Sequence, residues 1–115
     1  SEKRLLQEAA LERCREIVLR DLMPDNRDLG IYRGPLRSIY NWRRYCKFCR
    51  RTRRQIDDRF RAEVAQALIT FIQQEMEEVR EGQRDSSVNC TTEDLLVFAE
   101  EVGASQSNAE LFRLL

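Results

Sequence analysis

Apolar residues recur every three to four positions along most of this chain, which is the spacing of helix faces and not the alternation of half-buried strands. Over 2–23 the stripe is Leu6, Ala10, Cys14, Ile17 and Leu22, widened by Leu5, Leu11 and Val18. Ser1 is placed to cap this first helix, and Pro24 to stop it. The run 24–34 is rich in Pro, Asn, Asp and Gly and predicts a loop. Gly34 followed by Pro35 predicts a fresh helix start, because proline suits the first helical position.

No Gly or Pro interrupts 36–81. The helical beat runs through Ile39, Tyr40, Trp42, Tyr45, Cys46 and Cys49, lapses over 50–55, and resumes from Ile56 and Phe60 through Val64, Leu68, Phe71 and Ile72 to Met76 and Val79. One straight helix of that length would extend ~70 Å. A compact chain of this size has a radius of gyration near ~13 Å, so the segment is expected to bend near 51–58, with Asp57 or Asp58 capping the second part. The expected elements are a basic helix 35–54, a core helix 56–81, a loop 82–91, and short helices 92–102 and 107–115. Acids after Thr91 suit the start of the first short helix, and Gly103 suits its end. Ser107 to Glu110 fits a capping box for the last. No internal repeat is evident. The expected fold is all-α, a compact bundle of four to five helices forming a single domain over 1–115.

Composition supports this and removes chemistries. Four glycines and two prolines are too few for the turns of an all-β fold. No apolar run reaches the roughly 18 residues of a membrane span, and no signal-peptide pattern opens the chain. Cys14, Cys46, Cys49 and Cys90 are too few and too unevenly spaced for a disulfide scaffold, so an intracellular, reducing location, cytoplasmic or nuclear, is expected. Histidine is absent, which excludes histidine bases and ligands together with Ser-His and Cys-His nucleophiles. The expectation is a protein that is not an enzyme, with no catalytic residues, cofactor or metal.

The formal charge sums to zero but is segregated. Residues 33–61 carry +9 and residues 62–115 carry −8. Of the 20 basic residues 18 are Arg, the side chain suited to bidentate contacts with carboxylate or phosphate. Arg43, Arg44, Lys47, Arg50, Arg51 and Arg54 fall three, four and seven apart and line one helix face, while Trp42, Tyr45 and Cys49 line another. These six cations with Trp42 and Tyr45 are the candidate partner-binding residues. The partner is an acidic protein surface or nucleic-acid phosphates, with Trp42, Tyr40 or Tyr45 stacking on bases in the second case. A solvated face, paired with the acidic half of the same chain, is the plainer alternative. Opposite segments of this size also suit pairing between copies, and the long stripe from Ile56 to Val79 exceeds what two short helices readily cover, so a homodimer is expected.

Cys46 and Cys49 form a C-x-x-C inside a helix, where two small packed side chains are a better reading than a redox centre at a helix N-terminus; the nearby arginines could still promote oxidation. Asp57 and Asp58 are adjacent on a helix and do not face one another, so arginine pairing is expected there and not a shared metal.

Two short stretches resemble known families. Ile31, Tyr32 and Arg33, then Leu36 and Arg37, with Phe60 and Arg61 downstream, resemble the LYR-motif proteins of mitochondria. That resemblance implies a small helical accessory subunit engaging acyl carrier protein and iron–sulfur or respiratory-chain assembly partners. Phe48, Arg53, Ile56, Asp57 and Phe60 resemble a stretch of the fluorescence recovery proteins of cyanobacteria, helical dimers that act on a carotenoid protein. Each covers less than half of the chain, and neither is adopted. The reading carried forward is a helical interaction or regulatory module that binds an acidic partner through an arginine-rich helix, with nucleic-acid binding and an LYR-type accessory role as alternatives.

Overall fold

A computed structural model describes residues 1–23, 26, 34–80, 82 and 90–115. Among these described residues six helices follow in order: α1 Glu2–Arg20, α2 Pro35–Arg51, α3 Asp58–Arg80, α4 Thr92–Val102, α5 Ala104–Ser107 and α6 Ala109–Arg113. No strand occurs among the described residues, so the all-α class expected from periodicity is the class observed. The expected loops 24–34 and 82–91, and with them Ile31, Tyr32 and Arg33, lie largely outside the described residues.

The long segment is broken in two, and its chemistry is local. Thr52 Oγ1 donates to the Phe48 carbonyl at 2.8 Å, and Arg53 turns left-handed at φ 57°. The Arg54 amide then reaches back to the Cys49 carbonyl at 2.8 Å, the six-to-one bond of a Schellman stop. A non-glycine residue in that conformation costs ~1 kcal/mol. Asp57 caps the next helix: its Oδ1 accepts from the Arg59 and Phe60 amides at 2.9 and 3.1 Å. The buried Tyr45 hydroxyl accepts from the Asp57 amide at 3.1 Å and fixes where α3 begins.

Several boundaries differ from expectation, among them the start of the core helix, which is Asp58 and not 56 because Asp57 caps it. The first helix ends at Arg20, not 23, because Asp21 turns there. The basic helix ends at Arg51, not 54, through the Thr52–Arg53 stop. The last helix is capped by Asn108, not Ser107: Asn108 Oδ1 accepts from the Leu111 amide at 3.2 Å, and Ser107 closes the one-turn α5 that the pattern did not reveal. The other starts are as read. Ser1 caps α1, Gly34 precedes Pro35 at φ 87°, and Thr91 with Asp94 forms a full capping box.

α1 and α2 pack antiparallel. Ser38, early in α2, donates from Oγ to the Val18 carbonyl at 2.7 Å near the end of α1, while Arg54, past α2, bonds Glu8 near its start at 2.6 Å. α3 lies against α1, α4 and α5. At the centre the rings of Trp42, Tyr45, Phe60 and Phe98 meet, with centroids 4.9 to 6.5 Å apart. Such ring pairs contribute ~1 kcal/mol each beyond the area they bury.

The expectation that the α3 stripe would be left uncovered is corrected. Phe60, Val64, Leu68, Phe71 and Ile72 are all buried, because α1 covers one flank and α4 and α5 the other. From Phe60 to Ile72, uncovered apolar surface on α3 therefore gives no reason for two copies to associate.

Candidate functional site

α2 divides sharply around its axis. Pro35, Ser38, Ile39, Asn41, Trp42, Tyr45 and Cys49 are buried. Leu36, Tyr40, Arg43, Arg44, Lys47, Arg50 and Arg51 are exposed. The exposed set steps by four, three, four and three from Leu36 to Arg50, so these side chains stand in one line, flanked by Arg44 and Arg51.

The structure thus brings together five of the expected binding cations and separates the other three residues from them. Trp42 is 2% exposed and Tyr45 is 1% exposed. Both serve the core and cannot touch a partner of the folded protein, which corrects their place in the expected site. Arg54 lies beyond the end of α2 and is spent within the chain, on Glu8 Oε1 at 2.6 Å and Gln7 Oε1 at 3.4 Å.

Electrostatically the line is barely compensated. Arg43 reaches Glu101 Oε1 of α4 at 3.6 Å. Among the described residues no carboxylate pairs with Arg44, Lys47, Arg50 or Arg51. Arg44 instead lies over the Tyr40 ring, 5.7 Å from its centroid, and Tyr40 is 62% exposed. Tyr40 is thus an exposed aromatic next to the cations, the position expected of Trp42 and Tyr45. Its place on the same line as Arg43 and Lys47 was the available signal.

The first thiol of the C-x-x-C pair is not activated. Burial pushes the Cys46 thiol up to about 11, Cys49 and Glu101 add to this, and Arg61 and Arg50 only partly oppose it. A thiol so placed is protonated near neutral pH, so the expected oxidising influence of the arginines is outweighed. Cys90 is likewise raised to about 11 by burial and then by Asp94. All four cysteines are free thiols. Among the described residues no three Cys, Asp or Glu side chains come together as a metal site. Asp57 and Asp58 do not share a site either, since Asp57 is spent on the α3 cap. No helix among the described residues is long and apolar enough to cross a membrane.

Two buried acidic side chains escaped the sequence reading, Glu75 of α3, which is 7% exposed and not part of a solvated face, and Asp21. Asp21 is fully buried where α1 ends, 3.2 Å from Arg20 Nε and 3.8 Å from Arg37 Nε of α2. It anchors the α1–α2 pair and does not belong to the surface site.

No curated protein and no solved structure matches the chain. Residues 1–104, however, match a family described as a repeat of unknown function (DUF7826). The match takes in the whole α2 line and the central rings of Trp42, Tyr45, Phe60 and Phe98, and the chain belongs to that family.

Proposed function

We propose that this unit is a non-enzymatic interaction module that binds an acidic protein surface through the outer face of α2. The observation that carries this reading is the line Arg43, Arg44, Lys47, Arg50 and Arg51, of which only Arg43 has a carboxylate partner among the described residues. Cations that face water in one row attract carboxylates and steer their approach. Burial of Trp42 and Tyr45 takes away two of the three rings that nucleic-acid stacking would have used, which favours protein over nucleic acid. Free thiols at all four cysteines suit a reducing compartment, cytoplasmic or nuclear.

The test compares the natural chain with a variant carrying Arg44→Glu, Lys47→Glu and Arg50→Glu. Both are titrated with a glutamate-rich peptide and with generic duplex DNA at two salt concentrations. Binding of the peptide that the variant loses, with its helix content unchanged, supports the reading. Equal binding by the variant overturns it. DNA bound more tightly than the peptide, with affinity falling steeply in salt, replaces the protein partner by nucleic acid.

A further inference from the structure

We infer that the acidic partner of the α2 face is a second copy of this same unit, which presents its α4. The inference rests on the α2 line being a binding face and names what covers it. α4 exposes Glu93, Val97, Glu100 and Glu101, spaced by four, three and one, so that they share one side of the helix. The acidic line from Glu93 to Glu101 and the basic line from Arg43 to Arg51 each rise about 12 Å at the helical 1.5 Å per residue. They match in length and oppose in sign.

The two lines meet at one point of the surface. Arg43, in the α2 line, reaches Glu101, in the α4 line, at 3.6 Å. That contact uses one member of each line, and Arg44, Lys47, Arg50 and Arg51 of the one and Glu93 and Glu100 of the other are exposed as well. A surface with a positive strip beside a negative strip is self-complementary. A two-fold axis along the boundary lays each strip over the opposite strip of the other copy, and both charge sets are matched at once. The same surface offers apolar contact, since Tyr40 is 62% exposed and Val97 is 40% exposed. The chain belongs to a family described as a repeat, a description that fits one unit meeting another of its kind. Buried apolar surface on α3 plays no part in this pairing, so it is electrostatic in origin and weakens as salt screens it.

The experiment is a charge exchange read by sedimentation. One variant carries Arg44→Glu, Lys47→Glu and Arg50→Glu; the other carries Glu93→Lys and Glu100→Lys, which leaves the Thr91–Asp94 cap intact. Circular dichroism checks that each is folded. The natural chain is expected to dimerise at low salt and to dissociate as salt rises. Each variant alone sets like charges across the interface and is expected to weaken dimerisation at least about tenfold. An equimolar mixture of the two variants restores opposite signs over both strips and is expected to form the heterodimer with about the natural affinity. Dimers that neither variant weakens, or variants that fail to rescue each other, overturn the inference. A natural chain that stays monomeric but binds the glutamate-rich peptide through α2 removes the second copy and leaves the acidic-partner reading standing. A chain that does neither removes both.

Discussion

α1 and α2 are two helices of similar length, 19 and 17 residues, packed antiparallel on each other, yet they treat their charges in opposite ways. α1 mixes the signs along its outer side, and its charges pair with one another: Arg13 with Glu16 at 3.5 Å and Arg15 with Glu12 at 3.7 Å. α2 contains six basic residues and no acidic one. A solvated face is a sufficient account of the middle of α1, because the charges there satisfy themselves locally. It is not a sufficient account of α2, whose outer cations repel one another along the helix and find a single carboxylate, Glu101, among the described residues. A row of this kind costs the isolated fold a little and is explained by what it meets outside. The same helix has an inner face that carries much of the core, so its two sides answer to different experiments.

The largest effect is expected from the inner face. Trp42→Ala removes the ring that touches Tyr45, Phe60 and Phe98 and leaves a cavity between α2, α3 and α4. Chemical denaturation should show a loss of ~4 kcal/mol. A loss under about 1 kcal/mol, the usual range for surface changes, would mean that this side of α2 is not the core.

Next comes the anchor between α1 and α2. Asp21→Asn keeps the shape and removes the charge that two arginines face, at 3.2 and 3.8 Å. Breaking a buried ion pair from one side costs ~3 kcal/mol, since the remaining charge is left uncompensated. Partial exposure of Arg20 and Arg37 lets water soften that cost, so a destabilisation of about 2 kcal/mol is the expected reading from a melt. An unchanged melting temperature would show that the pair contributes nothing to holding the two helices together.

A smaller effect of opposite sign is expected at the break after α2. Arg53→Gly relieves the left-handed φ of 57° and should stabilise the fold by ~1 kcal/mol. The same position explains why the sequence was harder to read here than elsewhere. The pause in the apolar beat over 50–55 showed that the long segment bends, but no glycine marked the stop, so the basic helix was extended to 54 and Arg54 was counted on its face. Trp42 and Tyr45 were legible as a separate side of the helix. Their burial depended on Phe60 and Phe98 arriving from α3 and α4, which periodicity along a single helix does not contain. Asp21 was hidden for the same reason: its partner Arg37 comes from the next helix. Caps were legible where side chain and helix lay within three residues of each other, as at Ser1, Asp57 and Thr91. The outer cations of α2 were legible in full, because a helical line is fixed by spacing alone.

The smallest effect sharpens the contrast between the two helices most directly. Lys47 sits at the middle of the α2 line, with Arg43 and Arg44 four and three residues before it and Arg50 and Arg51 three and four after it. Like charges at those spacings destabilise a helix by about 0.2 kcal/mol per pair at low salt. Lys47→Gln therefore removes four repulsions and should raise the melting temperature of the isolated chain by a few degrees, on the scale where ~1 kcal/mol moves a domain of this size by about 4 °C. Arg13→Gln in α1 breaks an attractive pair with Glu16 and should lower it slightly. Salt screens both, so the two variants should converge on the natural chain as ionic strength rises. Glutamate-rich peptide should reverse the order at α2, because a cation that destabilises the free helix stabilises the occupied one. Lys47→Gln would then bind more weakly while melting higher when free. If Lys47→Gln instead melts lower than the natural chain at low salt, an intrachain carboxylate compensates the line, and α2 differs from α1 only in how far away its partners are.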